Sequence, residues 1–225
     1  MTDTGNRRPL ASRKTGWAAA LTRLLAGAGV TPNRISVASM VFAVFAGVLF
    51  WSGGHADEPL ARAILLVSAA VFCQLRLLCN LLDGMVAIEA GKGTQDGAFW
   101  NEFPDRVCDL VILAGLGYGV GEAALGWAAA ALAVFTAYVR ELGRGCGLPA
   151  DFSGPMAKPH RMALVTAAAL VSTAEPLWNG RNEVLVAALW LVAIGSLVTV
   201  LRRSWRIVRR LRAGSPSASP DGPRA

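Results

Sequence analysis

The sequence predicts an all-α, polytopic membrane protein with six transmembrane helices and an interfacial amphipathic helix ahead of them. Three observations carry that prediction. Apolar types make up 54% of the 225 residues and charged types only 16%, with a mean hydropathy of +0.45, whereas soluble domains carry about 25% charge. Six apolar stretches, at residues 35–52, 61–82, 107–121, 123–142, 162–178 and 184–201, approach the roughly 20 residues that a bilayer core requires. Lys and Arg gather at the two ends and in alternate loops, the pattern of cytoplasmic segments. Such a composition excludes a water-soluble monomer.

Residues 1–13 are polar and basic and read as a disordered leader. No short apolar core follows a basic start, so the N-terminus is not a secretory signal and the chain is expected to stay in the membrane uncleaved. Over residues 14–30, Trp17, Leu21, Leu24 and Leu25 recur at helical spacing while Lys14 and Arg23 fall on other faces. That pattern suits a helix lying in the headgroup plane. Thr31-Pro32-Asn33 then turns the chain into a membrane domain spanning 31–212. Gly53-Gly54 with Asp57 and Pro59 ends the first span, and a Gly-containing polar stretch from Glu89 to Gly97 follows the second. A softer break at Gly117 to Gly121 divides the third and fourth, Pro155 and Pro159 precede the fifth, and Pro176, Asn179 and Gly180 separate the last two. Residues 213–225 are rich in Ser, Pro and Gly and read as a disordered tail.

A net charge of +7 would in a soluble protein suggest nucleic acid, but its placement points to topology. With both termini on one side, eighteen of the 22 Lys and Arg residues lie on that face; the other has Arg62 and Arg181, and Arg76 and Arg106 lie within helices. The basic face is therefore expected to be cytoplasmic, at the cell's inner or plasma membrane, with an even number of spans. Anionic headgroups, not nucleic acid, account for the charge. Cys73, Cys79, Cys108 and Cys146 form no CxxC pair and read as small apolar fillers.

Ordinary membrane-helix composition fails between Asn80 and Asp109. Asn80, Asp83, Asn101, Glu102, Asp105, Arg106 and Asp109 fall in or beside helical segments at a depth where one charge costs about 2.5 to 3.5 kcal/mol. Asn80 and Asp83 are three apart, and Asn101, Asp105 and Asp109 are spaced by four, so each set lies along one helix face. Facing each other across a hairpin, they would form one cluster of oxygen ligands. Such ligands without His or Cys suit a hard cation, Mg²⁺ or Mn²⁺, bridging a substrate phosphate. Gly84, Ala87, Gly91, Gly93 and Gly97 leave room for a nucleotide or pyrophosphate. A structural network, such as a Glu102–Arg106 pair at i, i+4, is the alternative for part of this set.

The run N80-L-L-D83-G84-M-V-A87, followed by G97-A-F-W-N101-E-F-P-D105-R106-V-C-D109, resembles the signature of the CDP-alcohol phosphatidyltransferase family, D-x-x-D-G-x-x-A-R-x8-G-x3-D-x3-D. Eight residues from Glu89 to Asp96 bring Gly97 onto the second glycine without a gap. T31-P-N-R-I-S also resembles the family's entrance to its first membrane helix, and the resemblance extends over roughly residues 15 to 210. The sequence departs from the pattern at Asn80 and Asn101, where the family has aspartates, and at Ile88, where it has arginine. The resemblance implies two divalent ions held by four aspartates, with Asp83 as ligand and Asp105 as ligand and base. The two Asn residues weaken the second ion, and Asp109, one turn beyond Asp105, is a candidate to restore charge.

Arg140 and Arg144, with Lys158 and Arg161 ahead of the fifth span, resemble the family's site for a phosphorylated acceptor alcohol. Convergent Arg and Lys suit a phosphate, which Arg binds bidentately; the alternative is a set of topogenic flanks. The expected function is transfer of a phosphatidyl, or other substituted phosphate, group from a CDP-linked donor, with CDP-diacylglycerol foremost. The acceptor is an alcohol or alcohol phosphate, CMP is released, and the process is phospholipid biosynthesis. A degenerate, non-catalytic nucleotide- or lipid-binding member is the rival reading, and an ion transporter is disfavoured by the almost purely apolar last spans. The family is often dimeric, which leaves a homodimer open.

Overall fold

A computed structural model describes residues 15–89, 91, 95–178 and 180–214. In chain order they form α1 (Gly16–Gly27), α2 (Pro32–His55), α3 (Pro59–Glu89), α4 (Gly97–Gly119), α5 (Ala123–Gly145), α6 (Lys158–Ser172), a one-turn 3₁₀ segment (Glu175–Trp178) and α7 (Glu183–Gly214). No strand occurs among the described residues, and the leader and residues 215–225 of the tail lie outside them. The all-α class is met, and every expected helix is present.

The punctuation acts as its chemistry predicts. Thr31 is extended and its hydroxyl accepts from the Arg34 amide at 3.4 Å, with Pro32 as the first helical residue; this is a capped start with a preset φ. Gly121, at φ 77, makes the turn between α4 and α5, a conformation that L side chains resist.

Of the six expected spans, four are met by length and composition. Among the described residues, four helices, α2, α3, α5 and α7, are long and apolar enough to cross a membrane. The other two expected spans fall short for different reasons. Helix α4 begins at Gly97, ten residues before the apolar run, and takes the polar residues Asn101, Glu102, Asp105, Arg106 and Asp109 into its first half. Helix α6 has 15 residues, about 22 Å at 1.5 Å per residue, because after Ser172 the chain turns into the 3₁₀ segment that contains Pro176 instead of continuing. Conversely, α7 runs beyond its apolar stretch through the arginines at 202, 203, 206, 209, 210 and 212, since arginine is a good helix former.

Helix α2 packs against α3 and α4, α5 against α4 and α7, and α6 between α3 and α7. Phe50, Leu66, Ile112, Leu116, Met162 and Leu189 are fully buried in their common core. Small residues set the closest approaches. A Cβ on Gly54 would overlap the Gly119 carbonyl, and one on Gly126 would lie 2.7 Å from the Gly117 Cα, so these backbones touch directly.

Helix α1 lies on α3, with Ala18 against Leu81 and Met85, and Leu21 and Leu25 against the Ile35, Leu82 and Val86 cluster. Trp17 and Leu24 are exposed. The apolar stripe is thus divided: half of it packs on the bundle and half faces outward.

At the start of α3, Arg62 donates to the Ser172 carbonyl (2.5 Å), Glu175 (2.6 Å) and the Asn182 side chain (3.0 Å). Glu175 also accepts from the Asn182 and Val184 amides, and Asn182 donates to the Gly54 carbonyl. Four helices are tied by this buried knot, which lies 21 residues of helix, roughly 30 Å, from Asp83.

Candidate active site

The other end of the bundle opens into a cavity of about 730 Å³. The C-terminal part of α3 supplies Asn80, Asp83, Gly84 and Ala87; the first half of α4 supplies Gly97, Asn101, Asp105 and Asp109; Arg140 comes from α5, and Lys158 and Arg161 from α6. The structure therefore brings together every predicted site residue except Arg144. That side chain is exposed and pairs with Glu141 at 2.8 Å.

Asp83 is buried against α2. One oxygen accepts from the Ser36 hydroxyl at 2.8 Å and the other from the Gly84 amide at 2.6 Å. Glycine at 84 fits because the position is buried and its amide turns back onto the carboxylate. Asp105 is more open. It accepts from the Asn80 amide at 3.0 Å, forms an ion pair with Lys158 and lies 3.5 Å from Arg76. Asp83 from α3 and Asp105 from α4 thus both line the cavity.

Asp109 requires a correction. It is 4% exposed, and both its oxygens are taken, one by Arg76 at 3.2 Å and the other by Arg161 at 2.6 Å. Two guanidinium groups already neutralise it, so it is not placed to add charge to a metal ion. Arg161 also donates to Thr136 and to the Met156 carbonyl. Asn101 is exposed, and its amide points to Glu102 at 3.5 Å.

Glu102 pairs with Arg106 and Arg140. The expected Glu102–Arg106 pair is therefore present, and it is joined to Arg140, which also binds Glu141 at 2.8 Å and lies 5.3 Å from the Phe152 ring centroid. That stacking holds the guanidinium at the cavity wall.

Two contributors had escaped the sequence. Arg76, fully buried, links Asp105 and Asp109 from one turn before Asn80. Its signal was present, since an intramembrane arginine calls for a partner and positions 76 and 80 share a helix face. Ser36 gave no signal, because a serine in an apolar helix is ordinary.

No group of three or more His, Cys, Asp or Glu side chains converges to hold a metal among the described residues. Asp83 and Asp105, with the amide oxygens of Asn80 and Asn101, remain as oxygen donors. One or two carboxylates plus substrate phosphates suffice for Mg²⁺. The residues fit one hard divalent ion; they do not fit the two-ion cluster that four aspartates would hold.

No family model matches the chain. It is 32% identical over 193 residues to the phosphatidylinositol phosphate synthase of Mycobacteroides abscessus, an alignment covering 81% of this chain and 80% of that protein. Its fold matches a crystal structure of Mycobacterium tuberculosis phosphatidylinositol phosphate synthase with CDP-DAG bound, at a TM-score of 0.70 and 22% identity, covering 92% of this chain and 98% of that one. The same enzyme in complex with manganese and citrate matches with the same score and identity, covering 92% and 93%.

Proposed function

The chain belongs to the CDP-alcohol phosphatidyltransferase family, and from that membership we propose that it transfers a phosphatidyl group to inositol phosphate, the acceptor its relatives' names indicate. It is a transferase of phospholipid synthesis with CDP-diacylglycerol as donor. The observation that carries the reading is the pair Asp83 and Asp105, facing each other from α3 and α4 in a cavity bordered by Arg140, Lys158 and Arg161.

In this mechanism the donor's nucleotide enters beside Gly84, Ala87 and Gly97, where no large side chain competes for space. A divalent ion, Mg²⁺ or Mn²⁺, held by Asp83 and Asp105 with the Asn80 and Asn101 carbonyl oxygens, supplies positive charge to the donor phosphates when bound. The manganese complex of the tuberculosis enzyme supports a divalent ion in this role. Asp105 takes the proton of the acceptor hydroxyl. The hydroxyl oxygen bonds to the lipid-side phosphorus, the bond to CMP breaks, and CMP leaves with that electron pair. Asn80 and Arg76 hold the Asp105 carboxylate in place, and Ser36 holds Asp83. Arg140 receives the acceptor phosphate, exchanging Glu102 and Glu141 for it, while Arg161 lies deeper on the same side.

Incubation of the purified chain with CDP-diacylglycerol, Mg²⁺ or Mn²⁺ and inositol phosphate should release CMP, and unphosphorylated inositol should be the poorer acceptor. In the Arg140→Ala variant a lost charge-assisted bond of about 1.5 to 3 kcal/mol should raise the acceptor KM ten- to more than a hundredfold at 1.4 kcal/mol per decade. The donor KM should stay near its wild-type value. Equal weakening of both substrates, or a preference for an acceptor without phosphate, would overturn the acceptor assignment.

We further propose that α4 and α6 complete six spans, with both termini cytoplasmic. Supporting this are the burial of both helices among the four apolar ones and the gathering of basic residues on one face. Single cysteines at Gly5 and Ser217 should react only with a membrane-permeant maleimide in intact cells; labelling by an impermeant one would refute the orientation.

A further inference from the structure

The cavity lining contains four carboxylates, Asp83, Glu102, Asp105 and Asp109. Three of them are already paired with cations of this chain: Glu102 with Arg106 and Arg140, Asp109 with Arg76 and Arg161, and Asp105 with Lys158. Among the described residues Asp83 forms no ion pair, and its oxygens accept from a hydroxyl and an amide. Between the two acidic positions, Asn80 directs its NH₂ group, a donor, at Asp105.

Lys158 is the first residue of α6. A cation at a helix N-terminus meets the positive end of the helix dipole, so this location is unfavourable unless a carboxylate offsets it, and Asp105 does so. Pro159 is the second residue of the helix, and the His160 and Arg161 amides bond the Ala157 carbonyl, which fixes the backbone carrying the ammonium. An ammonium has three donor hydrogens. One serves Asp105, and the other two are available to phosphate oxygens at the cavity wall.

We propose that Lys158 is a built-in second cation, so that this site binds its donor pyrophosphate with one divalent ion, held by Asp83 and Asp105, and with the Lys158 ammonium fixed on Asp105. The inference rests on the reading of the cavity as the donor site. It explains how Asn can stand at 80 and 101: a site whose second cation is a monovalent lysine needs fewer carboxylates than one loaded with two divalent ions. The ammonium also repels a second metal ion.

Binding of Mn²⁺ to the purified full-length chain, followed by the EPR signal of free Mn²⁺, tests this without any turnover. One ion per chain is expected for the wild type and for Asn80→Asp. Lys158→Met should tighten Mn²⁺ binding more than tenfold, and Asn80→Asp combined with Lys158→Met should bind two. Two ions in the wild type, none, two in Asn80→Asp alone, or an unchanged affinity in Lys158→Met would each overturn the proposal. Should the Lys158 variants fail to fold, the wild-type and Asn80→Asp stoichiometries still decide. CMP release is scored separately: turnover with two bound ions removes this proposal and leaves the transferase reading, whereas one bound ion without turnover does the reverse.

Discussion

Asp105→Asn is expected to abolish CMP release in a chain that still folds. A general base contributes roughly 10²- to 10⁴-fold, and in the proposed mechanism Asp105 has a second task as ligand to the divalent ion, so the loss should exceed that range. The fold should survive for a geometric reason. The Asp105 and Lys158 side chains are 15% and 22% exposed toward the cavity, so water can take over the ammonium when the carboxylate becomes an amide. Turnover below detection together with a melting temperature within a few degrees of wild type is the expected pair of results. Near wild-type CMP release would remove Asp105 from the chemistry.

Asp109→Ala should give the opposite pattern, a large loss of stability. Its carboxylate lies between two arginines, Arg76 at 0% and Arg161 at 2% exposure, and is itself only 4% exposed. Removing one partner from a buried ion pair costs about 3 to 5 kcal/mol, because the remaining charge is left uncompensated. Two guanidiniums would be stranded here, though Arg76 keeps its contact to Asp105. Thermal unfolding in detergent should show the loss, and Asp109→Asn, which keeps an acceptor, should fall between. A wild-type melting temperature in Asp109→Ala would mean that the clamp is not structural.

These two aspartates mark how far the sequence could be read. They are four residues apart on one helix face and look equivalent as text. What separates them is the third dimension: Arg161 reaches Asp109 from 52 residues away, and Lys158 reaches Asp105 from the same turn of α6. No local pattern encodes which of two neighbouring carboxylates a distant cation will meet. Features set by local chemistry were legible, among them the Thr31-Pro32 helix start, the turn at Gly121 and the polar face of α4. The far end of the fifth span was placed at Trp178, past the polar Ser172, Thr173 and Glu175, whereas α6 stops at Ser172 and the backbone changes to a 3₁₀ turn that holds Pro176 and the Glu175 contacts to Arg62. The position of α1 was half legible: its apolar stripe was evident, but its division between α3 and the outside depends on which residues of α3 face it.

The Arg62–Glu175 knot also sets an order of events during synthesis. Arg62 leaves the ribosome 113 residues before its partner Glu175, an interval of roughly 6 to 23 s at about 5 to 20 residues per second. Throughout that time α3 carries a cation that lacks the Glu175 carboxylate it will later meet. Its place near the beginning of the helix makes the wait tolerable, since a long arginine side chain there can keep its head in the headgroup layer. The same residue halfway along α3 would have to sit in hydrocarbon for those seconds. Closing the knot is therefore a late step in biogenesis, when the final helices dock and draw Arg62 out of the lipid surface into the protein.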